Sequence, residues 1–599
     1  MTATDEGKMG SASEGLNVTF GVEMHTRDGV RLLSDVYLPV GDGPWPVVVQ
    51  RNPYDRTDAG MGSMRIVDPA WLARQGFAVV IQDTRGRGGS DGKWKQFNED
   101  VDDGYDCVEW AASQPWSTGS VGMYGSSGMG LTTYKAVASQ PPHLKAAVAV
   151  VAPTQWTTRA PGGPFEVSFV TWYALKMAMD TVARLEDRAF ATSAMDRIMA
   201  RMGSIAETWD TLPLSSIDPL SDPTVTDGYW LDWVLAEPGV ERPGATVSLS
   251  DKPEIGQTAL LHIAGYRDQC APEMFALAAA QKDSDKHRLI AGPWTHRGVY
   301  SGASGAREPL GTSSPGGPVG WGPVLAAWFD IHLRGGDGSG FPLGMSWIGG
   351  GGGVRCYVEG TDAWATAPSW PPASVVREWI LTSNGTARSA GGDGRLVPAS
   401  EVGLTSGSDH VSADPRDPFP TCGGGLGLPV QGPDAIQDQR AVDGREDVLV
   451  YTSEPLEIPM TIVGAQTLVL EFESSAVDAD VYVTLVDVEP DGFALNVCDG
   501  ALRTRYREGR QDSWLTPGVP VELSVELHDT AHTFRPGHRV RVMVAGGNYP
   551  RYSRNLHTKT VPELGDLAEA QVAEHVIHNG PGTSSRLVLN EAAAGSLTF

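Results

Sequence analysis

The stretch Ser120-Val-Gly-Met-Tyr124-Gly125-Ser126-Ser127-Gly128-Met129-Gly130 decides how the rest of this chain is read. A short apolar run passes into a cluster of glycines and serines and then into a small-residue helical pattern. A serine nucleophile held on a sharp strand-to-helix turn needs this layout, because strand and helix approach too closely there for large neighbours. The helix N-terminus behind the turn favours developing negative charge. Ser127 has glycine two before and three after it, whereas Ser126 has Tyr124 two before, so Ser127 is the better nucleophile. The usual pattern places its second glycine two after the serine; here that position is Met129, and Gly130 takes the role one step later. A glycine-rich turn that only packs is the alternative, and the surroundings must decide between them.

Working outward, residues 18–24 and 31–38 flank Arg27-Asp28-Gly29 and predict a hairpin. Residues 46–50, 77–82, 145–151, 258–263 and 288–291 are short continuous apolar runs, the mark of strands buried on both faces. Helical patterns at 69–75, 99–113 and 326–332 alternate with them, which argues for a mostly parallel α/β sheet. The expected organisation is a disordered segment over 1–16 and an α/β-hydrolase domain over 17–154 and 246–348. Residues 155–245, rich in Trp, Phe, Met and Ala (Phe165, Phe169, Trp172, Tyr173, Met177, Met179), interrupt it as a helical cap. The five glycines from Gly349 to Gly353 read as a linker. Residues 354–599 carry strand patterns separated by Gly- and Pro-rich turns and predict a jelly-roll β-sandwich. Within it, 389–438 reads as one long irregular loop.

A serine nucleophile on this fold calls for an acid and then a histidine later in the chain. Asp268, in Gly265-Tyr-Arg-Asp268, follows one buried strand, and His296, in Gly292-Pro-Trp-Thr-His296, follows the next. Both fall where strand C-termini open into loops, the location of sites in open α/β sheets. His262 lies inside a strand and His287 before one, so neither stands at the required edge. An oxyanion needs at least two donors. The backbone N–H of Gly128 is one candidate, and the turn Arg51-Asn-Pro-Tyr54-Asp-Arg56 could bring the hydroxyl of Tyr54 as the other.

These residues carry a resemblance. The segments Arg51-Asn-Pro-Tyr54-Asp, Gln82-Asp-Thr-Arg-Gly-Arg-Gly-Gly-Ser-Asp91-Gly, the turn at Ser127, Gly292-Pro-Trp-Thr-His296, Asp414-Pro-Arg-Asp-Pro418 and Asp447-Val-Leu-Val-Tyr451-Thr-Ser are similar to those of the CocE/NonD-type serine hydrolases. That family holds bacterial cocaine esterase, the α-amino-acid ester hydrolases, glutaryl cephalosporin acylases and the Xaa-Pro dipeptidyl-peptidases. The resemblance spans about residues 20–595. It implies hydrolase domain, helical cap and jelly roll, and Tyr54 as an oxyanion donor. In the amino-ester hydrolases, acidic residues just after the catalytic aspartate help hold a substrate ammonium; here Gln269, Cys270 and Ala271 follow Asp268, which weakens that expectation. The glycine-rich run at Arg85 lacks the lysine and Ser/Thr of a phosphate loop. Asp83 and Arg85 are expected in an ion-pair network at the strand end.

Composition bounds the rest. A formal net charge of −27 over 599 residues argues against a nucleic-acid partner, which needs a basic footprint. No apolar run reaches the roughly 18–20 residues that span a bilayer, the N-terminus lacks the basic and apolar regions of a secretory leader, and five cysteines without metal-type spacing suit a reduced, cytoplasmic setting. The expected chemistry is acyl transfer with Ser127, His296 and Asp268, needing no metal or cofactor. The expected partner is a small-molecule ester or amide, with no nucleic acid and no membrane; self-association stays open. Trp156 and Trp172 are the candidate substrate contacts for a bulky apolar or aromatic ester. Amide cleavage on the same machinery, and a non-catalytic binding protein on this scaffold, are the competing readings.

Overall fold

The computed structural model describes residues 15–58, 66–237, 257–281, 286–301, 320–341, 353–401, 406–426, 432, 434–509 and 512–599. Of the disordered segment expected over 1–16, residues 1–14 lie outside the described residues and Leu16 already belongs to a strand; the glycines 349–352 of the expected linker also lie outside them. The chain opens with a hairpin of β1 (Leu16–His25) and β2 (Arg31–Pro39), which pair antiparallel. β3 (Trp45–Asn52), α1 (Pro69–Arg74), β4 (Ala78–Asp83), α2 (Asp100–Ala112), β5 (Ser117–Ser126), α3 (Ser127–Ser139) and β6 (Leu144–Val150) follow in alternation. Every residue of β4 is buried, as a strand covered on both faces requires. α1 starts where it does because the Asp68 side chain accepts from Ala70 N–H and Pro69 supplies the first helical φ.

After β6 comes an insertion with five α-helices among the described residues, α4 (Val167–Ala183), α5 (Arg188–Gly203), α6 (Ile205–Asp210), α7 (Pro223–Thr226) and α8 (Tyr229–Val234). The sheet resumes with β7 (Ala259–Arg267), α9 (Ala271–Ala280), β8 (His287–Thr295), α10 (Gly298–Ser301) and α11 (Gly322–Phe329). Leu72 of α1 and Trp328 and Phe329 of α11 pack one face of the sheet. Cys107 and Val108 of α2 and Tyr134 and Val137 of α3 pack the other. The inserted helices share a core with the hydrolase: Tyr173, Trp230 and Trp233 pack with Trp94, Phe97 and Leu131. The cap is thereby fastened to the helix that starts at Ser127.

Two strands belong elsewhere than the sequence suggested. β9 (Val354–Val358) pairs parallel with β8, and β10 (Ala363–Ala367) pairs antiparallel with β9. The first sheet therefore runs β1-β2-β4-β3-β5-β6-β7-β8-β9-β10, and the hydrolase layer extends past residue 354. Strand propensity alone carries no information on which sheet a strand joins; here the mostly buried run Val354 to Val358 is covered by Ala264, Ala271 and Met274.

The second sheet system consists of β11 (Ser374–Thr382), β12 (Arg395–Pro398), β13 (Gly407–Ala413), β14 (Val448–Thr452), β15 (Met460–Ser474), β16 (Asp480–Val488), β17 (Ala494–Arg503), β18 (Val521–Phe534), β19 (Arg539–Ala545), β20 (Ala573–Asn579) and β21 (Arg586–Ala592). β15, the longest, pairs with β18, β20 and β21 and ties this jelly-roll sandwich together. β12 and β13 fall inside 389–438, so that stretch is not one irregular loop. The polar sequence of β13 conceals a buried role: Asp409 is fully enclosed and accepts from Ser383 Oγ, the Ala387 N–H, Tyr451 Oη and Asn579 Nδ2. A buried carboxylate satisfied four times replaces the apolar residue that pattern reading expects.

Candidate active site

The site is built from the C-terminal edges of three parallel strands. β5 delivers Ser127, β7 delivers Asp268 and β8 delivers His296. β7 and β8 are neighbours, with Arg267 opposite Thr295, so Asp268 and His296 leave the sheet side by side. β6 separates β7 from β5, and the imidazole reaches across its end.

Ser127 has φ +53, the left-handed conformation that a side chain adopts only under constraint. The glycines around it show why the turn can exist. A Cβ on Gly125 would stand 2.1 Å from the Met129 carbonyl oxygen, and one on Gly130 would stand 2.3 Å from Ala152 Cβ at the end of β6. The close approach falls at Gly130, three after the serine, so Met129 is accommodated where the usual motif has glycine.

His296 Nδ1 lies 2.7 Å from Asp268 Oδ1, and its Nε2 lies 3.0 Å from Ser127 Oγ. Asp268 is fully buried and His296 is 4% exposed. With Nδ1–H donating to the carboxylate, Nε2 keeps its lone pair and the Ser127 hydroxyl is the donor. Among the described residues one group has metal-ligand character, Asp268, Cys270 and His296, with ligand atoms within 4.8 Å of one another. Two of its three members, Asp268 and His296, are already committed to each other by hydrogen bonding, and the imidazole is bonded onward to Ser127 rather than to Cys270. The other histidines considered are elsewhere: His262 Nδ1 pairs with Tyr134 Oη at 2.8 Å inside the sheet, and burial pushes its pKa down to about 3. His287 opens β8 at the opposite edge, and burial takes its pKa down to about 4.

Tyr54 and Gly128 meet beside the serine. A Cβ on Gly128 would touch Tyr54 Oη at 2.2 Å, so the tyrosine hydroxyl sits directly over the backbone that follows Ser127. Tyr54 Oη also lies 3.2 Å from Tyr173 Oη. Burial raises the Tyr54 pKa, while contacts with Tyr173, Ser127 and the Gly128 N–H work against that rise, so the phenol stays a proton donor. Behind it, Asp83 pairs with Arg56 and Arg85 with Asp103 and Asp28, so the two residues expected in one network take separate partners.

Ser127 opens into a cavity of about 340 Å³. Trp156 lines it, its ring tilted against those of Tyr173 and Trp233 with centroids 4.7 and 4.8 Å away. Trp172 does not line it. One residue along α4 is a 100° turn, so Tyr173 faces the cavity while Trp172 points away, toward Lys176. Phe169 and Tyr173, four apart on that helix, form the wall. Their spacing is the signal that could have singled them out, but the sequence does not phase the helix against the sheet.

Three carboxyls on the wall also escaped sequence reading: Glu166, Glu273 and Glu526, the last reaching it from β18 of the C-terminal domain. Glu273 accepts from the Thr154 N–H and Oγ1 and the Gln155 N–H, which holds the loop that carries Trp156. Glu166 precedes α4. Enclosure pushes its carboxyl up to about 7, with Arg551 opposing the rise and Asp268, Glu273 and Asp499 adding to it.

The geometry defines an α/β-fold serine hydrolase, acting on ester or amide bonds. Residues 28–298 match the X-Pro dipeptidyl-peptidase (S15 family), and 350–588 match the X-Pro dipeptidyl-peptidase C-terminal non-catalytic domain. Cocaine esterase of Rhodococcus sp. (strain MB1 Bresler) is 33% identical over 585 residues, covering 96% of this chain and 98% of that protein. An aminopeptidase from a marine sediment Thaumarchaeota archaeon superposes with a TM-score of 0.74 at 22% identity, and an α-amino acid ester hydrolase with 0.71 at 23%, each over 99% of both chains. At those identities the two structures show the fold. The chain belongs to the CocE/NonD-type family of serine hydrolases.

A pH-dependent stability follows from Glu166. Its unfolded pKa is near 4.3 and its folded value is about 7, so the native state holds the proton more tightly and stability falls as pH rises through that window. Glu166→Gln removes the dependence. Thermal melts at pH 4.5, 6 and 8 should show the variant gaining on the parent as pH rises, with most of the gain complete by pH 8.

Proposed function

We propose that this protein is an esterase for bulky, aromatic carboxylic esters, cleaving them through an acyl-enzyme intermediate on Ser127. The observation that carries the reading is the hydrogen-bonded series from Asp268 through His296 to Ser127 at the mouth of an aromatic cavity. As Ser127 Oγ attacks the ester carbonyl, His296 Nε2 takes its proton, and Asp268 holds the ring tautomer and steadies the imidazolium. The Gly128 N–H and Tyr54 Oη bind the oxyanion. His296 then returns the proton to the leaving alkoxide, and water, activated by the same imidazole, releases the acid. Trp156, Phe169 and Tyr173 supply flat apolar faces for an aryl group. The named activities of the relatives, cocaine esterase and α-amino acid ester hydrolase, support ester chemistry.

Amide cleavage is the second reading, since the same imidazole can protonate a leaving amine and the matched family is named for a peptidase. Glu166 and Glu273 favour a substrate with an ammonium group, so carboxyls can enter the pocket from positions other than those just after Asp268. A reduced, cytoplasmic setting is supported by five cysteines without a disulfide among them. No helix among the described residues is long and apolar enough to cross a membrane.

Matched p-nitrophenyl esters and p-nitroanilides of one aryl acid separate the two readings. The esterase reading expects kcat/KM for the ester to exceed that for the anilide by more than the difference in their uncatalysed rates, and Ser127→Ala to remove both activities while leaving the melting profile intact. Equal efficiencies after that correction favour the amidase. Tyr54→Phe should lower kcat about a hundredfold with little change in KM, the usual loss for one oxyanion donor; an unchanged kcat removes Tyr54 from the mechanism.

A further inference from the structure

The cavity beside Ser127 has a wall that does not belong to the hydrolase sheet. Arg159, Ala160 and Pro161 form part of it. They sit on a tight hairpin closed by a bridge between Arg159 and Phe165 and by the Ala160 N–H to Pro164 carbonyl bond. That hairpin is hydrogen-bonded to the C-terminal domain: Arg503 N–H donates to the Gly162 carbonyl at 2.9 Å and Ser553 N–H to the Phe165 carbonyl at 2.8 Å. The approach is so close at Gly162 that a Cβ there would stand 1.7 Å from the Ala501 carbonyl oxygen. Only glycine lets the two backbones meet.

A buried charge chain fixes the same hairpin. The Arg159 guanidinium donates to the carbonyls of Gly163, Val234 and Ala236, which joins the hairpin to the end of α8. Its remaining charge is answered by Glu563 at 3.0 Å, a fully buried carboxylate of the C-terminal domain. The other oxygen of Glu563 accepts from Arg503 Nη1 at 3.0 Å and from Ser553 Oγ, and Arg503 makes a bidentate pair with Asp480 at 2.8 and 2.9 Å. Burial alone would raise the Glu563 carboxyl, but Arg159 and Arg503 hold it well below the usual carboxylate range. Removing its charge strands a buried guanidinium at the pocket wall, a costly state that the hairpin relieves by moving.

We infer that the C-terminal domain sets the substrate size the pocket accepts, with Glu563 and Gly162 acting as positioning residues that hold the Arg159–Pro161 wall in place. The role rests on reading this cavity as the substrate site. It gives the domain a part in specificity although the matched C-terminal family is described as non-catalytic. Glu563 and Gly162 touch no reacting atom, so the chemistry at Ser127 is left intact when they change.

The test compares kcat and KM for p-nitrophenyl acetate and a p-nitrophenyl arylacetate in the full chain, in Glu563→Gln, Glu563→Asp and Gly162→Ala, and in Asp487→Asn as a control. Asp487 is buried in the same domain, paired with His532 and His538, and does not touch the hairpin. The expected result for Glu563→Gln and Gly162→Ala is a KM for the arylacetate raised by about tenfold or more, as misplaced positioning groups commonly cause, with acetate turnover kept. Glu563→Asp restores part of the loss, and the control lowers the melting temperature without changing the ratio of the two esters. Gly162→Ala leaves every charge in place, so it serves if Glu563→Gln does not fold. Parallel loss on both esters, or the same ratio change in Asp487→Asn, overturns the inference. A parent chain that hydrolyses neither ester contradicts the hydrolase reading itself, and the inference with it.

Discussion

Everything at this site depends on one imidazole spanning two gaps. His296 must accept from Ser127 and donate to Asp268 at once, and its ring fixes how far apart those partners can be. Neighbouring parallel strands lie about 4.8 Å apart, so residues leaving adjacent strands can meet, while residues two strands apart need a bridge. β7 and β8 meet the first condition for Asp268 and His296; β6, which ends level with β5 at Val150 and short of the end of β7, leaves room for the second. The strained turn at Ser127 then lifts the hydroxyl to the height of the ring. Gly125 and Gly130 make that turn possible by letting the strand, the helix and Ala152 crowd together.

Much of this was written in the sequence because the relevant signals are local. A glycine-flanked serine after an apolar run, and polar residues just past two later apolar runs, pointed to Ser127, Asp268 and His296, and the structure brings these three into hydrogen-bonding contact. Tyr54 was indicated by its place after β3 and by family resemblance rather than by any local rule. What the sequence hid is long-range. Nothing in Val354 to Val358 says that it lies beside β8 rather than in the sandwich. Asp409 makes β13 look like a loop because its burial is satisfied by Ser383, Asn579 and Tyr451, distant along the chain. Trp172 and Tyr173 are adjacent in sequence, and only the docking of α4 assigns one to the cavity. Glu166 looks like an ordinary charged residue at a helix start until Asp268, Glu273 and Asp499 surround it.

The three parts of the chain are therefore not separable by role. In the proposed mechanism the hydrolase sheet supplies the reacting groups; the cap supplies the aromatic wall, and the sandwich holds one hairpin of that cap through backbone contact and a buried carboxylate. Glu273, on α9, steadies the loop under Trp156 in the same manner from the hydrolase side. A pocket walled by side chains whose supports lie in three different parts of the fold can change its contents by changes far from Ser127, while the proton-transfer series stays untouched.

The most direct measurement is active-site labelling by a fluorophosphonate, followed by peptide mass spectrometry and by the rate of labelling in His296→Ala. The account predicts one adduct, on Ser127, and labelling slowed by at least about a thousandfold when the imidazole is lost, because an unassisted serine hydroxyl is a weak nucleophile. An adduct on another residue, or a rate indifferent to His296, would contradict it.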